Sequence, residues 1–284
     1  MPWLMLSLLL IQAPAPDVRA RVQTLIATSG AEVAVVMRTL DGKQELLIDP
    51  DKTFHAASTM KVPVMIELYR QAEARLLDLD EPLAIRNAFR SIVDGSVYQL
   101  SLGDDSDAEV YKAVGKTMTL RALCEAMITV SSNFAANLLI ERLGAENVRQ
   151  TVTRLGAEGM VVLRGVEDQK AFDKGLNNAT TARALAVLMQ KLADGQAVSR
   201  TADAEMVAVL KRQKFRDAIP SGVPESTPVA HKTGTITKIH HDAAIVYGPR
   251  PYVLVVLVRG IQDQKVSGPL MASISREIWN AVSR

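Results

Sequence analysis

Apolar residues are grouped in two ways along this chain. Near both ends they fall in short β-branched runs bounded by turn residues, and between the ends they recur at helical spacing. Glu32 to Arg38 (EVAVVMR) reads as a strand, because β-branched side chains suit a pleated, half-buried surface. Asp41-Gly42 is a favoured hairpin pair, so Glu45 to Ile48 is expected to return as a second strand. Val229 to Thr235, Ala243 to Tyr247 and Tyr252 to Arg259 have the same character, the last two joined through Gly248-Pro249-Arg250-Pro251. Helical spacing predicts a short helix over Val18–Ala27, then helices over Ser58–Asp78, Thr119–Thr129, Asn133–Leu143 and Ala145–Leu155. Three more are expected over Thr180–Ala193, Thr201–Leu210 and Pro269–Val282. Pro63 sits near the start of its helix, where a missing N–H is harmless. From Phe89 to Gly115 the signal is weak, and the acidic cluster Asp104-Asp105-Ser106-Asp107 is expected to be a solvated loop or helix cap without chemistry.

Strands at the two termini with helices between them imply an α/β (α+β) fold. The expected architecture is an antiparallel sheet assembled from both chain ends with flanking helices, plus an inserted all-helical lobe. The sheet lobe is expected to take about residues 21–57 and 200–284, and the helical lobe about 58–199. A cleft should lie between them, where small-molecule sites preferentially form. Met1 to Ile11 (MPWLMLSLLLI) followed by Gln12-Ala13-Pro14-Ala15 has the apolar run and small-residue end of a secretory signal, here assigned to residues 1–20. No Lys or Arg precedes the run, so the signal is incomplete. The run is short of the roughly 20 apolar residues that span a bilayer, so export to the periplasm or medium is expected, without a stable membrane anchor.

Composition removes other classes. At 48% hydrophobic and 23% charged residues the chain is ordinary globular protein. A net charge of +2 leaves no electrostatic footprint for nucleic acid. The single cysteine, Cys124, lies in an apolar run and is expected to be a buried small hydrophobe. His240-His241-Asp242 invites a metal reading, but adjacent strand residues point to opposite faces and a hydrolytic zinc site needs three converging ligands. No metal or organic cofactor is expected. No G-x-S-x-G elbow occurs, so an α/β-hydrolase triad lacks support.

Three short motifs carry candidate chemistry. Ser58-Thr59-Met60-Lys61 is the only S-x-x-K in the chain. A serine hydroxyl needs a base to become a nucleophile, and on a helix Lys61 would project from the same face one turn on. Its apolar neighbours Met60, Val62 and Pro63 suit a lysine of lowered pKa. Ser131-Ser132-Asn133 forms a polar corner between two apolar helices, which could aim a hydroxyl and an amide into a cleft or simply cap a helix. Lys232-Thr233-Gly234-Thr235 ends a strand, where a cation could bind a substrate carboxylate and a glycine could let substrate lie against the strand edge.

The ordered set S-x-x-K, S-x-N, K-T-G resembles the signature of class A β-lactamases and penicillin-binding proteins. Phe54-His55-Ala56-Ala57, Asn137-Leu138-Leu139 and Asp242-Ala243-Ala244 also resemble the family's surroundings of those motifs. The resemblance covers residues 21 to 284 and implies a serine hydrolase acting on a β-lactam or peptidoglycan-like substrate, and a monomer is expected. It implies that Ser58 is acylated, Lys61 assists proton transfer and Ser131 passes the proton to the leaving nitrogen. Asn133, Lys232, Thr233, Gly234 and Thr235 would bind substrate, with the backbone N–H groups of Ser58 and Thr235 as the oxyanion hole. Two departures stand out. Ser132 replaces an aspartate, and Asp173-Lys174-Gly175-Leu176-Asn177 has the spacing of the family's E-x-x-L-N loop with a shorter carboxylate. Glu167 falls where chain length places the deacylating glutamate, and is taken as that base ahead of Asp173 and Asp168.

Overall fold

The computed structural model describes residues 16–283. Five strands form one antiparallel sheet: β1 (Glu32–Thr39), β2 (Glu45–Ile48), β3 (Val229–Ile236), β4 (Ile239–Val246) and β5 (Tyr252–Arg259). Their spatial order is β2-β1-β5-β4-β3, so the two chain ends meet where β1 pairs with β5, from Glu32 opposite Arg259 to Thr39 opposite Tyr252. β3 and β4 are a hairpin closed by Thr237 and Lys238, and Lys238 has φ +59°.

The described residues also form eight longer helices: α1 (Pro16–Ser29), α2 (Lys61–Glu73), α3 (Leu120–Thr129), α4 (Asn133–Leu143), α5 (Ala145–Arg154), α6 (Ala182–Ala193), α7 (Arg200–Lys211) and α8 (Gln264–Val282). The continuous apolar run of β5 is explained by burial on both faces. Tyr252, Leu254, Val256 and Val258 pack on Val18 and Val22 of α1 and on Met271, Ile274 and Ile278 of α8. Val253, Val255 and Leu257 face the other way, into a cluster shared with Leu185, Leu188 and Met189 of α6 and with α2, α3 and α4. Each such side chain contributes about 1.5–3 kcal/mol when fully buried.

The sheet from both termini and the flanking helices are as the sequence implies; several details differ. The inserted lobe is not all-helical. It carries two-stranded ribbons pairing Phe54–His55 with Ala179–Thr180, Pro82–Ala84 with Thr117–Thr119, and Phe89–Arg90 with Val97–Tyr98. These segments are too short for a periodic signal. Helix α6, assigned to the helical lobe, packs directly on β1, β4 and β5 and so belongs beneath the sheet. β4 begins at Ile239 rather than Ala243, because His240, His241 and Asp242 hide a strand whose polar side chains are all buried and paired internally. The predicted helix from Ser58 starts as a 3-10 turn over Ala57–Met60, becomes α-helical at Lys61 and stops at Glu73, after which Arg75 turns out at φ +58°. α8 starts five residues early, capped by Asp263, with Pro269 inside it. Of the segment assigned to a signal, residues 1–15 lie outside the described residues; residues 16–20 are the first turn of α1, with Val18 buried.

Candidate active site

The turn bearing Ser58 is held from below by histidines. Ala57 has φ +46°, a left-handed conformation costly for a residue with a Cβ, and its N–H donates to His55 Nδ1 at 3.0 Å. The Ala56 N–H donates to the Asn178 carbonyl. The His55 carbonyl accepts from His241 Nε2 at 3.0 Å, while His241 Nδ1 accepts from the Val258 N–H at 3.1 Å. Those two bonds fix one neutral tautomer of His241, and burial lowers its pKa to about 4, so it stays uncharged at neutral pH. His240 and Asp242 point away from it, toward Ser267 and His231.

Gly234 explains how β3 comes so close to the turn. A Cβ there would sit 2.9 Å from the Thr59 nitrogen and 3.0 Å from that of Ser58. A side chain at this position would push the strand and the Ser58 turn apart, so the glycine helps position Ser58.

Lys61 is fully buried at the first turn of α2. Its ammonium donates to the Ser131 carbonyl at 2.6 Å, to Asn133 Oδ1 at 2.8 Å and to Ser131 Oγ at 3.4 Å. Among the described residues no hydrogen bond joins it to Ser58, because a buried ammonium with three donors has satisfied them at the polar corner instead. Burial lowers its pKa to about 7, partly offset by the charges of Asp105 and Glu167.

That corner joins α3 to α4. Ser131 has φ +60°. Ser132 caps α4, its hydroxyl accepting from the Ala135 N–H, as the plain reading of the motif allowed. Asp105 accepts from the N–H groups of Asn133 (3.0 Å) and Phe134 (2.9 Å). The acidic cluster set aside in the sequence therefore holds one wall of the site. Lys232 is fully buried too, donating to Ser131 Oγ at 2.9 Å and to the Thr233 carbonyl at 2.8 Å. Burial, then the nearby Lys61, push its pKa well below the usual lysine value. Thr233 and Thr235, grouped with Lys232 by the resemblance as substrate-binding residues, line the pocket beside Ser58.

Glu167 (φ +62°) accepts from Asn133 Nδ2 at 2.8 Å, so one carboxamide joins Lys61 to Glu167. Burial and the carboxylates of Asp105 and Asp104 raise the Glu167 pKa, against the Asn133 hydrogen bond and Lys61. The two other carboxylates considered for that role have different partners. Asp168 is buried and occupied by Ser91 Oγ and the N–H groups of Ile92 and Ala171. Asp173 is exposed and accepts from Gln169. Asn137 anchors the loop, accepting from the Val166 N–H at 2.7 Å and donating to the Val166 carbonyl at 3.0 Å. Arg164 closes it by donating to the Leu176 carbonyl and to Asn177 Oδ1. Neither role was assigned from sequence; the signal was a lone Asn inside an apolar helix and a lone Arg in a loop.

Ser58 lies between two pockets. One of about 280 Å³ is lined by Asn133, Glu167, Phe172, Ile236 and Thr237. The other, about 240 Å³, is lined by Ser131, Thr233, Thr235, Phe215, Asp217 and His240.

A half-buried serine between two pockets, beside two buried lysines and a carboxylate, defines an active-site-serine hydrolase. The chain belongs to the β-lactamase enzyme family, which it matches over residues 17–282. It is similar to β-lactamase CTX-M-8 of Citrobacter amalonaticus, at 27% identity over 88% of this chain and 85% of that one. It is also 29% identical to a β-lactamase of Bacillus licheniformis over 61% of this chain and 58% of that protein. Among solved structures, a β-lactamase from Sphaerobacter thermophilus superimposes with TM-score 0.80 at 23% identity, covering 95% of this chain and 97% of its own. PBP-A gives TM-score 0.82 at 24% identity over 96% and 97%.

Proposed function

We propose that this protein hydrolyses the amide of β-lactams through an acyl-enzyme on Ser58. The observation that carries this is the Asn133 carboxamide, which takes the Lys61 ammonium on its oxygen and Glu167 on its nitrogen. It ties a base suited to forming the ester to one suited to breaking it. With a pKa of about 7, a good part of Lys61 is free amine at neutral pH and can take the Ser58 proton. Catalytic hydrogen bonds commonly tighten only when substrate fills the site, and the Ser58–Lys61 contact is assigned to that state. Ser58 Oγ attacks the lactam carbonyl, whose oxygen is held by the N–H groups of Ser58 and Thr235. The Ser131 hydroxyl, oriented by Lys232, gives its proton to the departing nitrogen. Glu167 then takes a proton from water as that water attacks the ester.

Multiple turnover of a chromogenic cephalosporin is the test. Glu167→Gln should slow deacylation by about 10²–10⁴-fold, leaving an adduct on Ser58 visible by mass spectrometry. A parent enzyme that stops after one stoichiometric burst would instead be a penicillin-binding hydrolase. We further infer that the chain is exported, with its signal removed ahead of Pro16, since Val18 is part of the folded core. No helix of the described residues is long and apolar enough to cross a membrane.

A further inference from the structure

Glu167 keeps a left-handed backbone at φ +62°, and the residues on either side of it are both held by one element outside its loop. That element is the ribbon 89–98, in which Phe89–Arg90 pairs with Val97–Tyr98. Before Glu167, the Tyr98 hydroxyl donates to the Val166 carbonyl at 3.2 Å and accepts from Asn137 Nδ2 at 3.3 Å. After it, the Asp168 carboxylate is buried and accepts from Ser91 Oγ at 2.8 Å and from the Ile92 N–H at 2.9 Å. A third bond, from the Ala171 N–H, caps the short helix Gln169–Asp173 with the same carboxylate. Lys170 then donates to Asp94 and Ser96 at the tip of the ribbon, at 2.7 and 2.8 Å.

The ribbon is itself anchored. Phe89 is buried and meets Phe134 edge-on, their ring centroids 5.9 Å apart, and Phe134 follows Asn133 at the start of α4. The loop is thereby referred to the same helix start that supplies the Asn133 amide to Glu167.

A left-handed residue other than glycine persists only where its surroundings over-determine it. Exposed ion pairs such as Lys170–Asp94 contribute little to that, so the buried Asp168 contacts carry most of the restraint. Asp168 borders the larger pocket, but both its oxygens are taken by the ribbon, and Ser91 lines neither pocket beside Ser58. We propose that Asp168 is a positioning residue for deacylation, a latch that fixes the Glu167 loop to the ribbon 89–98 and so aims Glu167 at the water that attacks the ester. This rests on Glu167 as the deacylating base, as read above.

The experiment measures acylation and deacylation of Ser58 separately, by stopped flow with a chromogenic cephalosporin and by mass spectrometry of the adduct, on the full chain. Asp168→Ala should slow deacylation about 10²-fold, the cost of displacing a reacting group by ~1 Å, and change acylation less than about threefold. Asp168→Asn, which keeps one acceptor oxygen for the ribbon, should recover part of that loss. Ser91→Ala removes one of the two ribbon bonds and should slow deacylation about tenfold, which tests the latch even if Asp168→Ala does not fold. In a Glu167→Gln background, Asp168→Ala should slow deacylation by no more than about twofold further, because the latch acts only through that carboxylate. Equal losses in both steps, unchanged deacylation, or a full further loss on top of Glu167→Gln would each overturn the proposal. A Glu167→Gln variant that clears its adduct as fast as the parent, or a parent that never clears it, removes Glu167 as the base and the latch with it. Normal dependence on Glu167 without the Asp168 effect rejects the latch alone.

Discussion

Three residues at the site hold left-handed backbone without being glycine: Ala57, Ser131 and Glu167. Such conformations cost of order 1–3 kcal/mol each and persist only where surrounding contacts over-determine them. Here the contacts are the His55 ring, the Lys61 and Lys232 ammonium groups, and the Asn133 amide. Gly234 is the converse case, where absence of a side chain is the requirement. Gly234→Ala should drive β3 and the Ser58 turn apart and lower the acylation rate about 10²-fold, since misplacement of a reacting group by ~1 Å costs that much. A stopped-flow acylation assay set beside a melting curve would show whether activity falls further than stability. In the proposed mechanism Lys61 would set the pH dependence of acylation. Its folded pKa of about 7 lies below the usual lysine value, so the free amine is lost as pH falls through 7. Acylation should drop about tenfold per pH unit below about 6.5 and level off above about 7.5. A rate that is flat from pH 5 to 8 would remove Lys61 from the proton path. Sequence alone supplied the identity of these residues, and Lys61's apolar neighbours even indicated its lowered pKa. It could not show that the ammonium turns to Ser131, because that choice depends on which carbonyls stand nearby.

At the scale of elements, the site is a meeting of ends: the 3-10 turn before α2, the start of α4, the loop 163–178 and the last residues of β3. Each is pinned by a polar side chain whose job is structural. Asp105 caps α4 and so aims Asn133; Asp105→Ala should cost about 1–2 kcal/mol of stability, measurable by denaturant unfolding. Asn137 holds both polar groups of Val166, one residue before Glu167. Asn137→Ala should slow deacylation much more than acylation, because the hydrogen bonds of this amide among the described residues go to Val166 and Tyr98 and none to the Ser58 turn. Comparable losses in both steps would show that the loop supports Ser58 as well. The long helices were legible from their periodicity, whereas the ribbons, the break before α2 and the early start of β4 were not. Two- and three-residue strands have no period to read, and three consecutive polar residues on a strand look like a loop until each finds a buried partner.

The whole molecule has one apolar cluster running from the inner face of the sheet through α6 and α2 into α3 and α4. The helical lobe therefore has no separate core on which to unfold. Tertiary and secondary signals should be lost in one coincident thermal transition, and two resolved transitions would contradict this. The second cluster closes the outer face with α1 and α8, and a chain beginning at Glu32 would leave Val33, Val35 and Met37 without Val18 and Val22. The sequence by itself determined the fold class, the resemblance to the family and the order of the three motifs, because hydrophobic spacing and local residue chemistry are written along the chain. Tertiary structure alone decided that Glu167 rather than Asp173 is joined through Asn133 to Lys61, that Lys232 is buried against Ser131, and that Asp105 holds the start of α4. Those outcomes depend on distances between segments that are remote in sequence, and on which buried charges and donors can satisfy one another once packed.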